Sequence, residues 1–166
     1  MIANLLGWLR TGFPPTWVTA AAGAMPILEV RGAIPLGVAL GLSFQKAYLW
    51  GCLGNLIPIA PLLLFLDPVS AWLRRFPIWK RFFDWAFAQT ASRADVVQRY
   101  EAIGLAIFVA IPLPLTGAWS GCIAASLFKL PFRVAFPAIS AGVLMAGGLV
   151  SLALKLGLTL FYAIPR

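Results

Sequence analysis

The chain has 166 residues, of which 61% are hydrophobic and 11% charged, and its mean hydropathy is +0.91. Soluble domains are about 45–50% apolar and about 25% charged, and a domain this small hides only about 60–70% of its unfolded surface. An ordinary soluble domain, a disordered tail and a disulfide scaffold are therefore excluded. With no histidine and five acidic residues, little is left for hydrolytic or metal chemistry.

The net charge is +8. The cations sit at the ends of apolar runs or in one central segment, which matches anionic lipid headgroups rather than nucleic acid. At the start, Arg10 follows the apolar run 2–9, and Pro14-Pro15 interrupts what comes next. A leader peptide wants its charge before the run, so the stretch T-A-A-A-G-A at 19–24 does not read as a cleavage site.

Uncharged stretches run 11–28, 32–45, 47–66, 102–128, 134–154 and 156–165. One crossing takes about 20 apolar residues, and 47–66 and 134–154 meet that length directly. The stretch 32–45 is too short and carries Pro35 near its start, whereas 102–128 is too long and carries Pro112 and Pro114 near its middle. Both read as re-entrant hairpins, since broken backbone at membrane depth survives only inside protein or along a wet cavity. The segment 68–101 holds Arg74, Arg75, Lys80, Arg81, Arg93 and Arg99, with Trp72, Phe76, Trp79, Phe83 and Phe87 at helical spacing. It reads as an amphipathic interfacial segment, cytoplasmic by the positive-inside rule. A hairpin at 102–128 returns Lys129 and Arg133 to that same side.

The halves look related. Gly32-Ala33 matches Gly117-Ala118, and Ala39 and Leu42 match Ala124 and Leu127, at an offset of 85. After a three-residue insertion, Ala47-Tyr48 matches Ala135-Phe136 and Gly54 matches Gly142. Two such units on either side of a cytoplasmic segment insert in opposite orientations, the plan of many secondary transporters. The expected fold is thus an all-α integral membrane protein with one membrane domain. Repeat 1 covers about 14–66, the basic linker 68–101, repeat 2 about 102–154, and an apolar segment 156–166 ends the chain. Each repeat is a re-entrant helical hairpin followed by a transmembrane helix, and together they form an inverted repeat.

Two segments carry candidate chemistry. Glu29 and Arg31 are the only charges between Thr11 and Gln45, and an ionisable residue at membrane depth costs roughly 2.5–3.5 kcal/mol on insertion scales. Positions i and i+2 do not face each other on a helix, so pairing calls for an unwound chain between Pro26 and Pro35, or for other partners. Unwinding would free the amides of Gly32 and Ala33 for an anion beside Arg31. Burial favours the neutral form of a carboxylate, which makes Glu29 the candidate proton carrier. The second segment is 111–121, where Pro112 and Pro114 preclude a regular helix. Thr116 is expected to cap the helix restarting at Gly117, with its free amides pointing into the same cavity.

Elsewhere, Asn55 is a polar group in mid-span that either bonds across helices or lines the pathway. Lys129 and Arg133 are interfacial anchors or readers of lipid phosphate. Gly37-x-x-x-Gly41 and Gly117-x-x-x-Gly121 read as close helix packing. Cys52 and Cys122 lie in apolar runs without metal-ligand spacing and read as small buried hydrophobes.

The stretches Glu29-x-Arg31-Gly32-Ala33-Ile34-Pro35, Gly54-Asn55-x-x-Pro58 and Pro112-x-Pro114-x-Thr116-Gly117-Ala118-Trp119 resemble the small multidrug export protein family over roughly 25–150. That family in turn resembles, more distantly, the DedA superfamily. The resemblance implies paired re-entrant hairpins and transmembrane helices, and movement of polyprenyl phosphate or other lipids driven by the proton-motive force.

These readings lead to a small secondary transporter or flippase of the plasma membrane, multi-pass, without a cofactor, working on membrane lipids. Arg31 would hold an anionic headgroup such as polyprenyl phosphate, with helix starts at Gly32 and Thr116-Gly117, and Glu29 would carry the proton. The alternatives are export of cationic or amphipathic drugs with Glu29 as counter-ion, and a structural membrane protein with no transport cycle. An enzyme is not expected, because nucleophilic and metal catalysis both lack parts. The chain is small for enclosing a pathway, which suggests a homodimer.

Overall fold

The computed structural model describes residues 12–65, 102–111 and 116–163. The basic segment 68–101 lies outside the described residues, as do Pro112 and Pro114. All regular structure among the described residues is helical. The chain divides into two compact units, one made of Met1–Asn55 with Leu144–Arg166 and the other of Leu56–Val143.

In the first unit, α1 (Pro15–Ala24) starts with proline at its first position, where the missing N–H costs nothing. The Pro14 carbonyl accepts the N–H of Trp17 at 3.0 Å and of Val18 at 3.3 Å. The helix stops at Met25, which is extended (φ −75°, ψ 137°), as the residue before a proline must be. A turn over 26–28 leads into α2 (Glu29–Ala39). Pro35 lies inside α2 and does not break it; what it removes is the N–H that would bond the Arg31 carbonyl. Val30, Ala33, Ile34 and Gly37 are its buried stripe, at the i, i+3, i+4, i+7 spacing of an amphipathic helix.

That stripe is covered by α3 (Phe44–Leu56). A Cβ on Gly37 would lie 3.0 Å from the Ala47 Cβ, and one on Gly51 would lie 3.1 Å from the Ile34 Cγ1. On α1, a Cβ on Gly23 would stand 2.5 Å from the Gly51 carbonyl oxygen, and a Cβ on Gly54 would fall onto the Ala20 backbone. The run A-A-A-G-A at 20–24 is therefore a close-packing surface. The stretch 144–163 also packs here: the Tyr48 hydroxyl donates to the Leu144 carbonyl at 3.2 Å.

The second unit holds α4 (Ala102–Ala110), α5 (Ala118–Leu127) and the first part of α6 (Phe132–Ala163). Its joints repeat those of the first. Both α2 and α5 end in a Schellman turn. Gly41 (φ 94°) donates to the Val38 carbonyl at 2.9 Å and Leu42 to Gly37 at 3.0 Å. Lys129 (φ 53°) donates to Ser126 at 3.1 Å and Leu130 to Ala125 at 2.8 Å. The spacing is 88 positions (129 − 41) at each of these atoms. It continues into the next helix, where Ala47 bonds the Ser43 carbonyl and Ala135 the Pro131 carbonyl. A Cβ on Gly142 would meet the Ala106 carbonyl oxygen at 2.7 Å, as one on Gly54 meets Ala20. The turns and the helices beside them thus fix an offset of 88, which pairs Glu29 rather than Gly32 with Gly117, while the contact partners on the first helices, Ala20 and Ala106, are 86 apart (106 − 20).

Helices of nine to eleven residues, such as α1, α2, α4 and α5, rise only about 14–17 Å and cannot cross a hydrocarbon core of about 30 Å alone. Among the described residues, two stretches are long and apolar enough to do so, Phe44–Phe65 and Phe132–Thr159, with only 28% and 33% of their most apolar windows buried. Met145, Leu149, Leu152 and Leu156 are all exposed and share one face of α6. An apolar face of that length calls for a lipid or protein surface rather than water around it. Lys46 and Lys155 lie within these helices; a lysine stem can carry its charge outward.

A Cβ at position 54 has backbone in its way, whereas one at Gly148 meets nothing within 4 Å. Gly54→Ala should lower the thermal unfolding midpoint in detergent, corresponding to about 1–3 kcal/mol of overpacking. Gly148→Ala should leave it unchanged or raise it, by up to about 1 kcal/mol of helix propensity.

Candidate functional site

The charged pair forms where α2 begins. Glu29 is the first residue of the helix and takes a left-handed conformation (φ 46°), an uncommon state for a side chain larger than asparagine. Its N–H donates to the Met25 carbonyl at 3.0 Å. The turn over 26–28 thus directs the carboxyl inward, and Glu29 is 6% exposed. Arg31 is half-buried and interacts electrostatically with Glu29. The unwinding that lets neighbours two apart interact lies before Glu29, at 25–28, and not between Glu29 and Pro35.

That position changes the role expected of Gly32. It lies within α2, and its N–H is committed to the Leu28 carbonyl at 2.7 Å. Its missing side chain makes room for Leu28, whose Cδ2 would lie 2.8 Å from an added Cβ. Gly32 therefore offers no amide to an anion, because the preceding turn is wound tightly enough to use it.

Thr116 departs from expectation in a similar way. The helix α5 has Gly117 as its N-cap and no side-chain cap bond. The Thr116 hydroxyl instead donates to the Ile111 carbonyl at 2.7 Å, with the residue 4% exposed. The local reason is that α4 ends at Ala110, so the Ile111 carbonyl stands beyond the helix without a continuing helical donor and takes the Thr116 hydroxyl. Gly117 serves the next turn through its carbonyl, which accepts the Gly121 N–H at 2.8 Å and the Ser120 hydroxyl at 3.2 Å.

Asn55 is 1% exposed, and neither its Oδ1 nor its Nδ2 has a hydrogen-bond partner. Lys129 and Arg133 are exposed on either side of the turn between α5 and α6, where long cationic side chains can reach headgroups. Cys52 and Cys122 are free and buried. Of the expected site, Glu29, Arg31, Gly32 and Asn55 belong to the first unit, and Thr116, Gly117, Lys129 and Arg133 to the second.

Sequence reasoning missed Thr19 and Gly23. Thr19 is fully buried, donates to the Pro15 carbonyl at 2.7 Å and packs against Gly37. The signal for both was the small-residue run 19–24, which fits close helix packing as well as a processing site.

A family model described as "Putative small multi-drug export protein" matches residues 29–149. The match starts at Glu29 and takes in Arg31, Asn55, Thr116 and Arg133. No curated protein and no solved structure matches the chain.

The Thr116 hydroxyl ties the approach to α5 back to the end of α4. Thr116→Val should lower thermal stability by about 0.5–1.5 kcal/mol, the worth of that one hydrogen bond, and Thr116→Ser should restore most of it in the same unfolding assay.

Proposed function

The chain belongs to the small multi-drug export protein family, and we propose that it is a proton-coupled secondary transporter of amphipathic anions, with lipid phosphates as the substrate class. The observation that carries this reading is the buried Glu29 interacting with Arg31 in a chain with few charges. A guanidinium left alone in such surroundings is disfavoured, because partial burial strips water from the charge without replacing it. Arg31 must therefore always have an anion beside it. When Glu29 is ionised, it is that anion. When Glu29 takes up a proton, Arg31 turns to the phosphate of the substrate. Proton uptake and anion binding are then tied one to one, since each excludes the other partner.

In this reading α1–α2 and α4–α5 are re-entrant hairpins, inserted from opposite sides, and the two long helices cross the plasma membrane. The basic segment 68–101 lies on the cytoplasmic face, and Lys129 and Arg133 touch headgroups. Two copies of the chain complete the pathway. A second reading, export of cationic drugs, is favoured by one fact: Glu29 is the only acidic residue among the described residues and would be the drug's counter-ion.

The two readings separate on which residue fails first. For the full chain in lipid nanodiscs, undecaprenyl phosphate should bind about 10- to 100-fold more tightly than undecaprenol, as a charge-assisted hydrogen bond of about 1.5–3 kcal/mol implies. Arg31→Ala should make the two equal. As pH falls, wild type should gain affinity for the phosphate relative to Glu29→Gln, because protonating Glu29 releases Arg31, whereas the phosphate's own second ionisation at about pH 6 affects both proteins alike. If phosphate and alcohol bind alike, while ethidium binds and is lost on Glu29→Gln but not on Arg31→Ala, the cationic reading replaces this one.

A further inference from the structure

From the burial and hydrogen-bonding of Asn55 we infer a second polar site, one that takes a neutral hydroxyl group, either water or a hydroxyl of a bound molecule. Asn55 is the twelfth residue of the apolar stretch Phe44–Phe65, so it stands near the middle of a crossing. It is 1% exposed, and its Oδ1 and Nδ2 are both buried without a hydrogen-bond partner. Its backbone N lies 3.2 Å from where a Cβ on Gly23 would stand, and Gly54 beside it meets the Ala20 backbone. The backbone at Asn55 therefore lies where α3 and α1 approach each other closely. An unpaired amide in apolar surroundings is among the costliest groups a protein can keep.

The fold itself does not need a polar side chain at this place. The equivalent position, 88 residues on, is Val143, also 1% exposed. It follows Gly142, whose contact with Ala106 repeats that of Gly54 with Ala20. A valine fills the position in one unit, and an asparagine, with two donors and an acceptor, fills it in the other. What differs is capacity for hydrogen bonds, not packing.

The chemistry of the ligand follows from the group set. The carboxamide offers an acceptor at Oδ1 and donors at Nδ2. Pro58 lacks the N–H that a regular helix would give to the Gly54 carbonyl, which adds acceptor capacity next door. A hydroxyl both donates and accepts, and so satisfies Oδ1 and Nδ2 together. A cation would be repelled by the Nδ2 hydrogens, and the described residues hold no cluster of metal-ligating side chains. An anion would find only one neutral donor group.

The inference does not depend on the Glu29–Arg31 reading, and its test uses neither residue. In nanodiscs, full-length Asn55→Val should fold with an unfolding midpoint equal to or above wild type. If the hydroxyl belongs to a bound molecule, wild type should prefer phosphatidylglycerol, which has headgroup hydroxyls, over phosphatidylpropanol, which carries the same phosphodiester charge and no hydroxyl. Asn55→Val should then reduce that preference about tenfold, and Asn55→Thr should keep part of it. If the hydroxyl is water, the two lipids should bind alike. In a Cys52→Ala, Cys122→Ala background, Asn55→Cys should then react with water-soluble 2-aminoethyl methanethiosulfonate about tenfold or more faster than Val143→Cys. Unchanged lipid preference together with equal reactivity at 55 and 143 overturns the inference. So does failure of both Asn55→Val and Asn55→Thr to fold, which would make Asn55 a structural residue.

Discussion

A short helix in an apolar medium has a problem that a long one avoids: its ends cannot reach water. Four of the described helices have only nine to eleven residues, and each helix end leaves several backbone groups without an intrahelical partner. Most of the local structure can be understood as a solution to that problem. Schellman turns close α2 and α5, prolines open α1 where an N–H would be unused, and the Thr116 hydroxyl serves a carbonyl near two prolines. Side-chain packing then builds on ends already satisfied, with Gly23, Gly54 and Gly142 letting backbones meet.

The broad plan was legible because it depends on quantities that the sequence states directly. Apolar run length marked the two long helices, and the prolines marked 102–128 as two helices and not one. The ends were less legible. Cutting at charges placed the long spans at 47–66 and 134–154, whereas they run Phe44–Phe65 and Phe132–Thr159, because a lysine stem lets its charge leave while its backbone stays helical. Pro35 was read as a break, yet the helix continues through it, since packing of Val30, Ala33 and Ile34 on one face outweighs one lost hydrogen bond.

The offset between the halves shows a different limit. Matching Gly-Ala pairs by identity suggested 85, while the turns fix 88. The left-handed residue of the first turn is glycine and of the second is Lys129, so the feature that is repeated is a backbone conformation with no common side chain. In the candidate site, residue identity singled out Glu29, Arg31 and Asn55, and the fold buries Glu29 and Asn55 and half-buries Arg31. Residue identity could not say which way a hydroxyl or an amide would turn. Gly32 and Thr116 were assigned to an anion because they could have served one; the fold had already used their hydrogen bonds.

Four polar side chains are buried among the described residues: Thr19, Glu29, Asn55 and Thr116. The two threonines are accounted for by carbonyls in their own units, Pro15 and Ile111, and so belong to the architecture. Glu29 and Asn55 remain. Both lie in the first unit, and the second unit has Gly117, in an extended conformation, and Val143 at the corresponding places; beside Val143 the same kind of close glycine contact forms without an asparagine. A polar group that the fold can omit, kept where burying it is costly, is retained for something other than folding. The two units share a way of closing helices, while the buried polar side chains other than the two threonines lie in the first. That asymmetry is why Glu29, Arg31 and Asn55, and not the repeated turns, are the positions at which substitution should change activity without dismantling the fold.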